Sequence, residues 1–172
     1  FPKAIETMKE LIQLDPKSDR VHFRIGALYD ESKNKEKTIE HMKIALELNP
    51  KSAAALNYLG YTYAEMGKNL DEAEKLILRA LKLEPNDGFF IDSLGWVYYQ
   101  KGDYKRAVSE LERAVSLVVD DPTIIEHLGD AYEKLGRQQE ALDRYRRALK
   151  KVQEEDQSNR IGEKIQLLER QI

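Results

Sequence analysis

The sequence predicts an all-α protein, an α-solenoid built from antiparallel helix-turn-helix units. The composition is typical of helices, since only five Pro and nine Gly interrupt a chain of 172 residues that is rich in Leu, Ala, Glu, Lys and Arg. The sequence also repeats every 34 or 35 residues, as shown by four equivalent glycines: Gly26, Gly60, Gly95 and Gly129. A repeat of this length indicates stacked units in which each unit contacts its neighbours, rather than one globular core.

Each unit begins at a residue suited to cap a helix. The four candidates lie 34, 35 and 34 residues apart, directly before an apolar run: Ser18, Ser52, Asp87 and Asp121. Their side-chain oxygens can accept hydrogen bonds from unpaired helical N–H groups, which is worth about 1 kcal/mol per cap. Pro122 follows its cap at the first helical position, where its missing N–H is harmless. At the other junctions a proline two residues before the cap ends the preceding helix: Pro16, Pro50 and Pro85.

Two helices are predicted in each unit. Apolar residues recur at spacings of three and four in two runs that are separated by a short polar turn, which indicates a helical hairpin. The glycine of the first run and an alanine 19 or 20 residues later leave little bulk where the helices approach; these alanines are Ala45, Ala80, Ala114 and Ala148. The second unit has one extra residue in its turn, GKNLDEA. Four tyrosines one helical turn after the glycines are expected to pack inside: Tyr29, Tyr63, Tyr98 and Tyr132.

These residues resemble the tetratricopeptide repeat (TPR), a helix-turn-helix of about 34 residues. The segments YLGYTY and DEAEKLILRALKLEP carry the family's L-G-x-x-Y on helix A, its small residues on helix B and its junction proline. The resemblance extends over about residues 1–155, and it departs from the family at the aromatic that opens helix A, replaced by His22, Leu56, Ile91 and Ile125. It implies a right-handed superhelix that acts as a non-catalytic protein-protein interaction scaffold.

The resemblance also implies the domain organisation. Residues 1–17 fit a half repeat, helix B of a preceding TPR, and four repeats follow at 19–52, 53–87, 88–121 and 122–155. Residues 156–172 are expected to form a capping helix, because Ile161, Ile165, Leu168 and Ile172 fall on one stripe. Since the chain begins with Phe1 and with an orphan helix B, we expect a piece of a longer array with any targeting signal upstream.

In the family, fixed places on each helix A line a concave groove that holds a peptide or a partner helix. Transferred to this chain, they give the candidate groove residues Phe23, Asp30, Asn57, Tyr61, Glu65, Phe89, Asp92, Trp96, Tyr99, Glu126, Asp130 and Glu133. The aromatic members suit binding hot spots, and the acidic members favour an apolar or basic ligand. Two alternatives stay open, since Tyr61 and Trp96 would equally suit packing between A helices and the acids would equally suit a solvated face.

Some TPR proteins bind the C-terminal carboxylate of heat-shock chaperones through Lys and Arg on helix A. The corresponding pairs of this chain provide no cation: Phe23 and Ala27, Asn57 and Tyr61, Asp92 and Trp96, Glu126 and Asp130. Binding of a chaperone tail is therefore not predicted.

Charge and composition exclude further functions. With 28 Lys and Arg against 31 Asp and Glu, the net charge of -3 lacks the basic excess that nucleic acid binding needs. No apolar run reaches the roughly 18 residues of a membrane span, so we expect no membrane insertion by this segment. There is no Cys, no histidine pair at metal-ligand spacing and no nucleophile motif, which predicts no enzyme, cofactor or metal. The compartment, cytoplasmic or periplasmic, is not predicted.

Self-assembly is the alternative function. Ile5 and Met8 of the half repeat lack the helix A that would cover them. An apolar stripe without a partner favours pairing with another copy, so a homodimer through residues 1–14 is the competing prediction.

Overall fold

The computed structural model describes residues 2–171, apart from the side chains of residues 2–5, 8 and 9. This part of the chain contains ten α-helices and no strand, which confirms the all-α prediction. The chain forms two compact units, unit 1 with residues 1–85 and unit 2 with residues 86–172. The helices of unit 1 are α1 Pro2–Leu14, α2 Asp19–Glu31, α3 Lys35–Leu48, α4 Ala53–Glu65 and α5 Leu70–Leu83. Those of unit 2 are α6 Gly88–Gln100, α7 Tyr104–Leu117, α8 Pro122–Lys134, α9 Gln138–Leu149 and α10 Glu155–Glu169.

Both units are stacks of helical hairpins. In unit 1, α2 pairs with α3 and α4 with α5, while α3 packs on α4. In unit 2, α6 pairs with α7 and α8 with α9, while α7 packs on α8 and α9 on α10. Each unit therefore has the nearest-neighbour packing that the repeat predicts.

The repeated glycines lie where the two helices of a hairpin approach most closely. A Cβ at Gly60 would lie 2.7 Å from Ile77 Cγ1 and 3.0 Å from the Ala73 carbonyl oxygen. At Gly129 the corresponding distance to the ring of Tyr145 is 2.7 Å. A methyl group therefore does not fit at these positions, as expected from the repeat.

Caps and turns follow the predicted pattern. Asp87 accepts hydrogen bonds from the backbone N–H groups of Phe89 and Phe90 at 2.9 and 3.0 Å, and the side chains of the other three predicted caps also accept helical N–H groups. The α4–α5 turn spans residues 66–69, whereas the other hairpin turns have three residues. The longer turn places Asn69 in the left-handed region, with φ of 50°.

The core of each unit lies mainly between the two helices of its hairpins. The largest fully buried side chains of unit 1 are Ile25, Met42, Leu56 and Ile77. In unit 2 they are Ile91, Leu111, Ile124, Ile125, Leu128, Tyr145, Ile161 and Leu168. Of the repeat tyrosines, Tyr63, Tyr98 and Tyr132 are buried and Tyr29 is half-buried, so these rings serve mainly in packing.

The two terminal helices differ in how much of them is described. α10 contributes Ile161 and Leu168 to the core of unit 2. The side chains of Ile5 and Met8 on α1, which carry the predicted homodimer, lie outside the described residues, so the homodimer stays a prediction. Among the described helices, none has the length and apolar character that a membrane crossing requires.

Candidate functional site

Unit 1 contains a groove between α2 and α4 with a volume of about 640 Å³. Its lining combines the Phe23 ring with small or apolar side chains at Ala27, Leu28 and Ala54. The Phe23 ring contacts Tyr58 edge to face, with centroids 5.7 Å apart and an interplanar angle of 86°. This geometry fixes the ring at the groove by a favourable aromatic contact.

A single lysine pairs with two of the predicted acids of unit 1. Lys35 donates hydrogen bonds to Asp30 at 2.7 Å and to Glu65 at 2.5 Å. Burial opposes the charge of Lys35, but these two carboxylates raise its pKa above the usual value. Tyr58 donates a hydrogen bond to Asp30 at 3.0 Å, and burial together with the Asp30 charge raises the pKa of Tyr58. Asp30 and Glu65 therefore connect α2 and α4 to α3 through Lys35.

Two further predicted residues lie on α4. Asn57 and Tyr61 are both half-buried. The buried Oδ1 atom of Asn57 has no hydrogen-bond partner within the part of the chain that the structure describes.

Unit 2 presents a stack of three rings, named here the aromatic stack: Trp96, Tyr99 and His127. The Trp96 ring lies 4.6 Å from the Tyr99 ring and 4.1 Å from the His127 ring, at interplanar angles of 5° and 17°. Trp96 and Tyr99 are half-buried, and burial is the largest cause that raises the pKa of Tyr99 to about 12. Nearby on α6, Phe89 is 53% exposed.

A buried ion pair lies beneath the aromatic stack. His127 Nδ1 lies 2.9 Å from Asp92 Oδ1, and both residues are buried. Burial lowers the pKa of His127, but the Asp92 carboxylate outweighs burial and raises that pKa above its ordinary value. Asp92 thus orients the imidazole on which Trp96 stacks.

The carboxylates of α8 are occupied by α10. Thr123, Glu126 and Asp130, named here the α8 socket, face three polar side chains of α10. Arg160 donates two hydrogen bonds to Glu126, from Nε at 2.9 Å and from Nη2 at 2.8 Å. Lys164 donates to Glu126 at 2.9 Å and to Asp130 at 2.6 Å. Gln157 donates to Thr123 at 3.2 Å and to Glu126 at 3.1 Å.

The electrostatics of Glu126 reflect this occupation. The side chain is 2% exposed, and burial alone would raise its pKa. Hydrogen bonds from Arg160 and Lys164, with the charge of Lys164 and a hydrogen bond from Gln157, instead lower the pKa of Glu126 to about 2. Next to the socket, the Tyr145 hydroxyl lies 2.7 Å from both Asp130 and Glu133.

The structure corrects the predicted acidic rim. Asp92 and Glu126 are buried and bound within the chain, so with α10 in place neither carboxylate faces a ligand. Asp130 and Glu133 also have partners in unit 2, and Asp30 and Glu65 share Lys35 in unit 1. Glu65 and Glu133 remain exposed, so the preference for a basic ligand stays a prediction.

Sequence reasoning did not identify the cations that hold these acids. Arg160 and Lys164 lie 34 residues after Glu126 and Asp130 and carry the opposite charge, so extending the repeat period by one unit would have found them. No comparable feature of the sequence indicated Lys35 as the partner of Asp30 and Glu65.

Metal chemistry finds no support among the described side chains, where no three His, Asp or Glu residues are grouped to hold an ion. Stacked helical hairpins with aromatic and small residues on their A helices define a helical-repeat scaffold. Family models described as tetratricopeptide or TPR repeat match residues 19–52, 42–75, 95–136 and 123–159. These matches together span more than half of the sequence, and the chain belongs to the TPR family. TPR proteins are generally non-catalytic interaction scaffolds.

Similar proteins agree with this membership. A TPR repeat-containing protein of Pseudomonas aeruginosa is 30% identical over 128 residues, which are 74% of this chain and 22% of that protein. The chain thus spans about a fifth of the length of that relative. A thermophilic TPR protein of Thermus thermophilus has a TM-score of 0.79 at 20% identity, covering 93% of this chain and 88% of that one. PilW, a type IV pilus biogenesis factor, has a TM-score of 0.82 at 19% identity, with coverages of 97% and 77%. At such identities the two structures share the fold.

Proposed function

We propose that this chain is a non-catalytic scaffold that binds a peptide or a partner helix in the groove of unit 1. The observation that carries the proposal is the groove itself, about 640 Å³ in volume and lined by Phe23 beside Ala27 and Ala54. Its size is that of a ligand site, and small residues next to an aromatic ring leave space for an apolar side chain. The ligand is therefore a segment with an apolar residue at its centre.

Preorganisation supports the same proposal. Phe23 packs on Tyr58, Tyr58 bonds to Asp30, and Asp30 pairs with Lys35. Because this chain of contacts orders the ring before a ligand arrives, binding loses little entropy on the scaffold side. The ligand loses most of the conformational freedom instead.

The rim of the groove favours a ligand with both signs of charge. Exposed Arg20 and Arg24 lie on the same lining as exposed Glu31. Charges at a rim act mainly on association rate and orientation, whereas the buried centre supplies affinity.

Trp96 and Tyr99 of unit 2 are proposed as a second contact surface for ligands of the same class. Both rings are half-buried and stacked, so they combine apolar area with little remaining rotational freedom. Phe89, 53% exposed on the same helix, would add to this contact.

A peptide selection tests the proposal. Random displayed peptides are selected on the full chain, and the affinity of the enriched peptides is measured by fluorescence anisotropy for wild type and for Phe23→Ala. Loss of a hot-spot aromatic is expected to cost about 2 kcal/mol, or roughly 30-fold in affinity. Leu83→Ala is the matched control, because it removes an apolar side chain that is 46% exposed and lies outside both proposed contact surfaces.

Two results would contradict the proposal. Either no peptide is enriched on the full chain, or the enriched peptides bind Phe23→Ala as tightly as wild type while circular dichroism shows unchanged helix content. Equal losses in Phe23→Ala and Leu83→Ala would also place binding away from the groove.

A further inference from the structure

The α8 socket differs from the other acidic positions of the chain in what occupies it. Its three residues accept hydrogen bonds from a helix whose Gln157, Arg160 and Lys164 lie on one face. Arg160 and Lys164 are four residues apart, so they stand one above the other along α10. The socket thus recognises a spacing of cations on a helix, not a single charge.

The contacts of the socket are geometrically specific. Arg160 binds Glu126 through two parallel hydrogen bonds, and Lys164 bridges Glu126 and Asp130. Lys164 Nζ also lies 5.4 Å from the centre of the Tyr145 ring, within reach of a cation–π interaction. A fork of guanidinium donors on a carboxylate adds orientation to the attraction of the charges.

α10 is attached through these polar contacts and through two buried apolar side chains. Ile161 and Leu168 are its only fully buried residues within the described chain, while Leu167 is 56% exposed. Arg160 is itself 55% exposed, although the carboxylate that it binds is buried. A competing cation therefore reaches the Glu126 carboxylate only after α10 has moved.

The connection to α9 allows α10 to move as one element. Residues 150–154 join the two helices without helical structure beyond Lys150, and only Val152 among them is half-buried. Opening the socket requires rotation in this segment and the release of two apolar side chains. The rest of unit 2 keeps its own hairpins.

We propose that the α8 socket is a docking site for a basic amphipathic helix of a partner protein, and that α10 occupies it as an intramolecular competitor. The matching helix carries Arg and Lys four residues apart and an apolar residue directly after the Arg, as in Arg160, Ile161 and Lys164. Because α10 is tethered, its effective concentration is on the order of millimolar, so a partner binds well only when it outcompetes α10 or when α10 is weakened.

A synthetic peptide of residues 154–172, labelled for fluorescence anisotropy, tests this proposal on the full chain. In the variant Arg160→Ala with Lys164→Ala, α10 loses its cations while the socket stays intact. The peptide is expected to bind this variant at least tenfold more tightly than wild type. Adding Ile161→Ser to the double variant removes a buried apolar contact of α10 and is expected to tighten binding of the peptide again. If the triple variant does not fold, the double variant alone tests the proposal.

Two controls make the result specific. Glu126→Gln in the double variant removes the socket charge at nearly constant shape and is expected to abolish the gain. A peptide with alanine in place of both cations is expected to bind neither protein. The proposal is overturned if the labelled peptide binds wild type and the double variant equally, or if it still binds the double variant after Glu126→Gln. Because this socket and the groove of unit 1 are tested with different probes, failure here leaves the groove proposal unaffected.

Discussion

Glu126 is expected to stabilise the docking of α10 by about 3 kcal/mol. Arg160, Lys164 and Gln157 lower its pKa from the usual 4.5 to about 2. At about 1.4 kcal/mol per pH unit, this lowering corresponds to about 3 kcal/mol in favour of the docked carboxylate. Breaking a buried ion pair by removing one partner costs a similar amount in other proteins, roughly 3–5 kcal/mol. Glu126→Gln keeps the shape of the side chain and removes the charge.

Amide hydrogen exchange of α10 measures this contribution directly. Exchange there reports the free energy of local opening. With about 3 kcal/mol lost, the amides of Ile161 and Leu168 are expected to exchange roughly 100-fold faster in Glu126→Gln than in wild type, at neutral pH. The amides of the unit 1 hairpins serve as an internal reference.

Glu169→Gln is the matched control. It removes a carboxylate of α10 itself, but the Glu169 and Arg146 side chains are 45% and 50% exposed. An exposed pair of this kind contributes about 0.5 kcal/mol or less. The reasoning is wrong if α10 exchanges no faster in Glu126→Gln than in this control.

The acid dependence of the same contact has a defined sign. Because the pKa of Glu126 is lower in the folded chain than its usual 4.5, its contribution is complete above about pH 4.5. It is lost as the pH falls from there toward 2. Protection of α10 against exchange should therefore decline over this window in wild type and stay flat in Glu126→Gln.

Two further predictions concern the packing of the units. Gly60→Ala is expected to destabilise the chain by roughly 1–3 kcal/mol in urea unfolding, because its Cβ would meet Ile77 and a backbone oxygen. Gly162→Ala is the control, since its Cβ would meet no atom within 4 Å, and it should be neutral or stabilising. Equal effects would refute the close approach. Since the pKa of His127 is raised, its ion pair with Asp92 stabilises unit 2 fully below about pH 6.5 and less as the pH rises through the folded pKa. Asp92→Asn should remove this decline of the unfolding midpoint with rising pH.

The repeat made the helical framework predictable from sequence. Each glycine, cap and proline specifies backbone geometry within a few residues of itself, so Gly60 and Asp87 do in the structure what the pattern indicates. The effect of the extra residue in the α4–α5 turn is also local, so the longer turn was predictable. Asn69 accommodates the extra residue with a left-handed backbone conformation.

The candidate groove was less predictable because exposure depends on neighbours far along the chain. Glu126 occupies a family groove place, yet its burial is decided by Arg160 and Lys164, which belong to a helix outside the repeat pattern. Trp96 likewise depends on His127 in the next hairpin. The positions that line the groove in the family predict where on a helix a side chain lies. The side chains packed against it determine whether a ligand can reach it.

The aromatic stack also gives this molecule an optical reporter of its own. Trp96 is the only tryptophan among the 172 residues, and its ring stands 4.1 Å from His127, the neighbour of Glu126 in sequence. Emission excited selectively at the indole therefore arises from one known place in unit 2, while tyrosine signals come from nine sites along the chain. Time-resolved intensity from the unmodified protein can follow events at α8 without any introduced dye.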